Sequence, residues 1–348
     1  MARSAQPVGI SAWAGAAVAA LVLTVIAVPL GAVMLRADAS SGLGPADWAA
    51  VRFTVGQAFL SALFSVGLAI PVARALARRN FRGRSALIAL MGAPFILPVI
   101  VAVLGLLTVF GRQGALSEIL RLFGLPGVEI YGLHGVVLAH VFFNLPLAVR
   151  LILQGWLAIP VERFRLAATL GFSSRDIARH MERPMLRNVL PGAFLVIFLI
   201  CTTSFAVALT LGGGPRATTV ELAIYQAFLF DFDLGRAALL GVVQVAICVI
   251  AGVFVLWVAT PNAIGTGLDQ PVERWDGQSR AARLLDGAFI TAAALFLLLP
   301  LMAVVLRGAG AIATMPPSIW VAALRSIALS LVTASVAVGM ALPMAMLI

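Results

Sequence analysis

The chain contains no lysine. All 24 of its basic residues are arginine, set against 14 acids for a net charge of +10. Charged residues make up only 11% of its 348 positions, and 62% are hydrophobic. With a mean hydropathy of +1.07, this excludes an ordinary soluble globular domain. Its two cysteines, Cys201 and Cys248, both fall inside apolar runs, so no disulfide framework or thiolate metal site is spelled out. Its three histidines, His134, His140 and His180, are scattered and form no HExxH arrangement. No GxxxxGK[ST] phosphate loop occurs, so the chain does not bind ATP by that route. No nucleophile–base or metal constellation appears either, which argues against an intramembrane enzyme. No Asp, Glu or Arg sits in the middle of an apolar run, which argues against an ion-coupled secondary transporter. No cofactor is implied.

What is present is a succession of apolar runs of about 20 residues, the length that crosses a bilayer. The spans read as residues 13–35, 55–73, 86–110, 133–157, 190–211, 237–258, 285–306 and 321 to the end. Residues 13–35 are too long for a secretory signal core and read as a retained span, despite the cleavage-like Ala37-Asp38-Ala39. Pro94 and Pro98 mark a kink in the third span. The arginines cluster between spans: sixteen fall on alternate loops that face one side and eight on the other. Lipid and topology therefore account for the positive charge better than nucleic acid does, and the arginine-rich side is cytoplasmic. The fold class is all-α, a polytopic membrane protein.

A repeat runs through the chain. Pro45, Trp48, Gly67, Ala69 and Pro71 recur as Pro317, Trp320, Gly339, Ala341 and Pro343, each 272 positions later. Parallel repeats of this kind build many transporters. The expected organisation is a first unit of six spans over 1–259, a cytoplasmic linker over 260–284, and the first two spans of a second unit over 285–348. On this reading the second unit is truncated and the intact protein continues further.

The longest charged stretch between spans, about residues 160–188, carries Arg163, Arg165, Arg175, Arg179, Arg183 and Arg187 against Glu162, Asp176 and Glu182. Leu166, Ala167, Ala168 and Leu170 favour helix. Gly171 supplies a stop, and Ser173 with Asp176 opens a second helix as a capping box. Pro184 ends or kinks that helix. The spacing of Ala167, Gly171, Met181 and Pro184 resembles the loop of ABC importer permeases in which Glu-Ala-Ala precedes a glycine and a terminal Leu-Pro. Arg165, Leu166 and Arg183 depart from that pattern. The resemblance implies an ATPase-coupling loop made by Arg165, Ala167, Ala168, Gly171, Met181 and Pro184. The structural alternative is an amphipathic surface loop.

On the opposite side, Gly212-Gly213-Gly214-Pro215 cannot continue a helix. Residues 221–230 then read as a short amphipathic segment at the membrane interface. The run LGGGPRATTVELAIYQA, residues 211–227, closely resembles the thiamine permeases of bacterial ABC importers. That family implies a type I double permease of the inner membrane, working with a dimeric ATPase and a periplasmic thiamine-binding protein. The ferric-iron permeases share this double architecture and stand as the alternative substrate class. Candidate pathway or outer-mouth residues are His140, Asn144 and Gln244, as polar groups inside spans. Tyr225, Asp231 and Asp233 join them, as aromatic and acidic groups suited to a cationic ring. Asn144 has a plainer reading as part of a kink shared with Pro146.

Overall fold

A bilayer core offers no water to unpaired backbone groups, so a chain this apolar must satisfy them within helices. The computed structural model describes residues 9–37, 42–92, 94, 97–214, 217–258, 277–310 and 314–345, and regular structure among them is entirely helical. Eight of the helices are long and apolar enough to cross a membrane, matching the spans read from the sequence. Residues 259–276, most of the expected linker, lie outside the described residues, as do Pro215 and Arg216 of the glycine-rich run.

The spanning helices are α1 (Gly9–Arg36), α2 (Pro45–Arg78), α4 (Val99–Phe110), preceded by the short α3 (Arg84–Leu90) and followed by the short α5 (Ala115–Leu122), and α6 (Leu133–Leu157). Two cytoplasmic helices, α7 (Val161–Thr169) and α8 (Ser174–Ile177), lead through a π-helical turn (Ala178–Glu182) into α9 (Arg183–Thr202). The short α10 (Phe205–Leu211) and α11 (Val220–Leu229) precede α12 (Leu234–Val258), α13 (Arg280–Ala309) and α14 (Pro317–Ala345).

Three boundaries differ from the sequence reading, each for a local reason. The third span is interrupted rather than kinked: α3 stops at Leu90, and Pro98 stands as the N-cap of α4. Proline has no N–H to donate and pushes its predecessor out of helical geometry. Pro184 does not end the helix, which runs on to Thr202; instead the turn directly before it, Ala178–Glu182, widens to π-helical geometry, where the proline has no N–H to give to the i→i−4 ladder. The fifth span starts earlier than expected and breaks at Thr203–Ser204, with α10 resuming at Phe205. There the hydroxyls of Thr202 and Thr203 donate to the carbonyls of Leu199 and Ile200, at 2.7 and 3.1 Å, competing with the backbone ladder.

Helix α2 is the hub. It packs against α6, α9, α11 and α13. Ala58, Ala62, Ala69 and Ala73 along it are fully buried, and α6 answers with Ala139 and Ala148. Small side chains let membrane helices approach closely enough for dispersion to hold them, since lipid supplies no hydrophobic drive. The outermost pair, α1 and α14, pack on each other, and α14 buries no described residue. At the outer end of α2, Asp47 is buried and paired with Arg236 of α12 at 2.7 Å.

Helix α11 packs one face into the bundle and leaves Phe228 and Leu229 exposed on the other. Val220, Leu222, Ala223 and Ala227 are buried. The Val220 N–H donates to Thr54 Oγ1 of α2 at 2.9 Å, and Thr219 caps the helix by accepting from the Leu222 N–H. The glycine-rich break before α11 turns the chain back into the bundle.

A close helix approach lies at Gly105 of α4, where an added Cβ would stand 2.5 Å from the Pro300 carbonyl oxygen of α13. Gly105→Ala should force the two helices apart and cost about 1–3 kcal/mol. Thermal unfolding of the purified protein in detergent checks this. An unchanged midpoint would show that α13 is not seated on α4.

Candidate functional sites

The cytoplasmic site is built around a turn. Gly171 takes φ +69, a left-handed conformation that costs glycine nothing. It lets the Phe172 N–H donate to the Ala167 carbonyl at 2.9 Å and the Gly171 N–H to the Ala168 carbonyl at 3.1 Å, closing α7. The expected capping box opens α8: the Ser173 N–H and hydroxyl both donate to Asp176 Oδ2, at 2.9 and 2.6 Å. These two bonds, the hydroxyl's first, hold the Asp176 carboxyl below the usual carboxylate range.

The loop has an inner and an outer face. Phe164, Ala167 and Ile177 are buried beneath it. Arg165, Ala168, Gly171 and Pro184 are exposed, and Met181 is half-buried. Leu166 and Leu170 stand 61% and 63% exposed beside them, an apolar ridge on an otherwise arginine-rich surface.

Glu182 is the residue that sequence reading passed over. It is one charge among many in the loop sequence, yet its side chain is only 4% exposed. The Arg74 guanidinium pairs with it at 2.7 Å, and the Trp156 indole N–H donates to its Oε1 at 3.3 Å. Arg78 lies at 3.9 Å. The carboxylate thereby ties the π-helical turn to the cytoplasmic ends of α2 and α6.

Toward the outer side, α4, α6, α9, α10 and α11 line an open cavity of about 370 Å³. His140, Asn144, Ser204, Phe205 and Glu221 are among its lining residues. His140 bridges Ser61, at 3.1 Å from Nδ1, and Ser204, at 2.6 Å from Nε2. The Asn144 amide donates to the His140 carbonyl at 2.9 Å and to Cys201 Sγ at 3.3 Å. Its Oδ1 is buried without a partner. Glu221, in the first turn of α11, hydrogen-bonds the Phe205 backbone, while burial pushes its carboxyl above the usual range. A larger groove of about 590 Å³ between α2, α6 and α13 is apolar apart from His134.

The other outer residues are occupied elsewhere. Gln244 donates to the Thr202 carbonyl at 3.0 Å, satisfying the helix break rather than lining the cavity. Tyr225 sits edge-on between Phe205 and Phe230, with ring centres 5.1 and 5.8 Å away. Asp233 Oδ1 accepts from the Arg236 N–H at 2.9 Å, and Asp231 pairs with the Arg236 guanidinium at 3.2 Å. The structure thus brings His140 and Asn144 together with Glu221, which the sequence reading had not singled out. An acid in the first turn after a glycine-rich break was the available signal.

Eight apolar helices with interrupted spans and a helix-turn-helix cytoplasmic loop define the fold of an ABC importer permease. A crystal structure of a bacterial ABC transporter involved in the import of the acidic polysaccharide alginate shares this fold. Its TM-score is 0.54 at 17% identity, covering 68% of this chain and 88% of that one. In sequence, the chain is similar to the thiamine transport system permease protein ThiP of Escherichia coli, at 48% identity over 264 residues. The Brucella abortus ThiP is 41% identical over 273 residues. These alignments cover 75% and 78% of this chain but only 49% and 50% of the relatives, so the chain spans about half their length. No protein-family model matches. Over about three quarters of its length the chain is thus similar to ThiP-type permeases, and its eight apolar helices are those of a multi-pass protein of the inner membrane.

Glu182→Ala should destabilise the fold by about 2–3 kcal/mol, less than for a wholly buried pair because Arg74 is a third exposed. It should also speed hydrogen exchange across residues 161–182. The double variant with Arg74→Ala should cost less than the two single changes added together. Strict additivity would show that the pair does not anchor the loop.

Proposed function

We propose that the chain forms part of the translocation pathway of an ABC importer for thiamine and thiamine phosphates, driven by a separate ATPase dimer. The observation that carries this reading is the 48% identity over 264 residues to a thiamine permease. The chain acts as a transport subunit, and ATP hydrolysis belongs to the partner. A periplasmic thiamine-binding protein delivers the solute at the outer face. Residues 1–259 form the first permease unit, and 285–348 belong to a second joined to it by 260–284.

The exposed ridge of Leu166, Ala168 and Leu170, beside Arg165 and Gly171, seats in the ATPase. A short helix ending in glycine presents little bulk, so it fits a shallow groove on a partner. Movement there reaches the membrane helices through Glu182, because that carboxylate holds the end of the loop against α2 and α6.

Labelled thiamine uptake tests the proposal, in vesicles holding the full-length permease with its ATPase and binding protein. Uptake should require ATP and saturate with thiamine. Gly171→Glu should abolish it while leaving membrane insertion intact, since a side chain at φ +69 strains the turn and a charge enters the contact surface. Uptake of ferric iron in place of thiamine would contradict the substrate. Normal thiamine uptake by Gly171→Glu would remove the loop from coupling.

A further inference from the structure

We propose that the open cavity lined by α4, α6, α9, α10 and α11 is a transit site for an organic cation, with Glu221 as its counter-charge and Asn144 Oδ1 as a hydrogen-bond acceptor. Where that cation is thiamine, the inference rests on the function proposed above.

Several independent observations meet in this cavity. Glu221 is half-buried, and among the described residues no cation pairs with it. A carboxylate removed from water and left without a counter-ion is costly, and an arriving cation relieves that cost. Asn144 is 1% exposed, and its Oδ1 has no hydrogen-bond partner. Such an atom calls for an N–H or O–H donor from a solute. Phe143 and Phe205 line the same space and offer ring faces or edges to a flat cation. Three features thus complement a molecule that is at once cationic, planar and a hydrogen-bond donor.

Size and ligand chemistry narrow the class. At about 370 Å³ the cavity lies near the lower end of small-molecule sites, which suits one or two rings rather than an oligomer. No group of three His, Cys, Asp or Glu stands together among the described residues, so the donor set does not suit a metal ion. Both ring nitrogens of His140 are engaged by serine hydroxyls, which leaves neither open for a metal. Nearby, Asp231 is paired with the Arg236 guanidinium, and Asp233 accepts from the Arg236 backbone N–H. Glu221 is therefore the carboxylate positioned to meet a cation inside the bundle.

The test is binding to the full-length permease in nanodiscs, with thiamine and tetraethylammonium as probes. Wild type should bind both. Glu221→Gln should weaken both by about tenfold or more, the loss expected for a charge-assisted contact. Glu221→Asp, which keeps the charge, should recover much of the affinity and guard against a folding artefact. Asn144→Leu should weaken thiamine, which carries an amino donor, and leave tetraethylammonium unchanged. Wild-type affinity for both cations in Glu221→Gln, or no binding of either probe to wild type, would overturn the proposal. Vesicle uptake separates this inference from the proposed function. Glu221-dependent cation binding without thiamine import would leave the site standing and remove the substrate. Thiamine import that is indifferent to Glu221→Gln would keep the substrate and remove the site.

Discussion

The arrangement of the cytoplasmic end depends on one buried carboxylate. Glu182 lies in the π-helical turn between the surface loop and α9, and it accepts from Arg74 on α2 and Trp156 on α6. Three segments far apart in sequence thereby meet at one charge. A buried ion pair adds little net stability over a well-packed apolar substitute, but losing one partner leaves the other stranded. The pair holds the end of the loop against α2 and α6, while Leu166 and Leu170 of the loop stay exposed.

The outer half is organised by the opposite device, interruption. Breaks at Pro98, at Thr203–Ser204 and in the glycine-rich run before α11 leave backbone that is not part of a continuous spanning helix. Within a bilayer, non-helical backbone is tolerated where it is buried in protein or lines a cavity. These breaks surround the space lined by His140, Asn144 and Glu221. The small residues of α2 and the Gly105 contact draw the remaining helices tightly enough to frame it.

What the sequence made legible was local. The bounds of α6 can be read directly, because an apolar run between glycine-rich and proline-containing loops has few alternatives. The glycine stop and the Ser173–Asp176 cap involve residues three apart and appear as read. Composition alone did not separate a kinked third span from a broken one, since Pro94 and Pro98 allow both. Glu182 was hidden because its partner Arg74 lies 108 positions away. Glu221 was hidden because a helix of ten residues after a glycine run reads as amphipathic surface until its packing against α2 is known. His140 and Asn144 were visible as polar groups in an apolar helix, but their grouping with Glu221 is a property of the fold.

The coupling proposed through Glu182 requires that movement at the loop reach the outer cavity, because α6 both meets Glu182 and carries His140 and Asn144. Thr203 lines the cavity at the break between α9 and α10, so Thr203→Cys reports which side of the membrane the cavity opens to. In the assembled importer, a membrane-impermeant thiol reagent should reach this cysteine from different sides in the nucleotide-free and ATP-bound states. The Glu182→Ala change should blunt that switch. Equal reactivity from the same side in both nucleotide states would contradict the account.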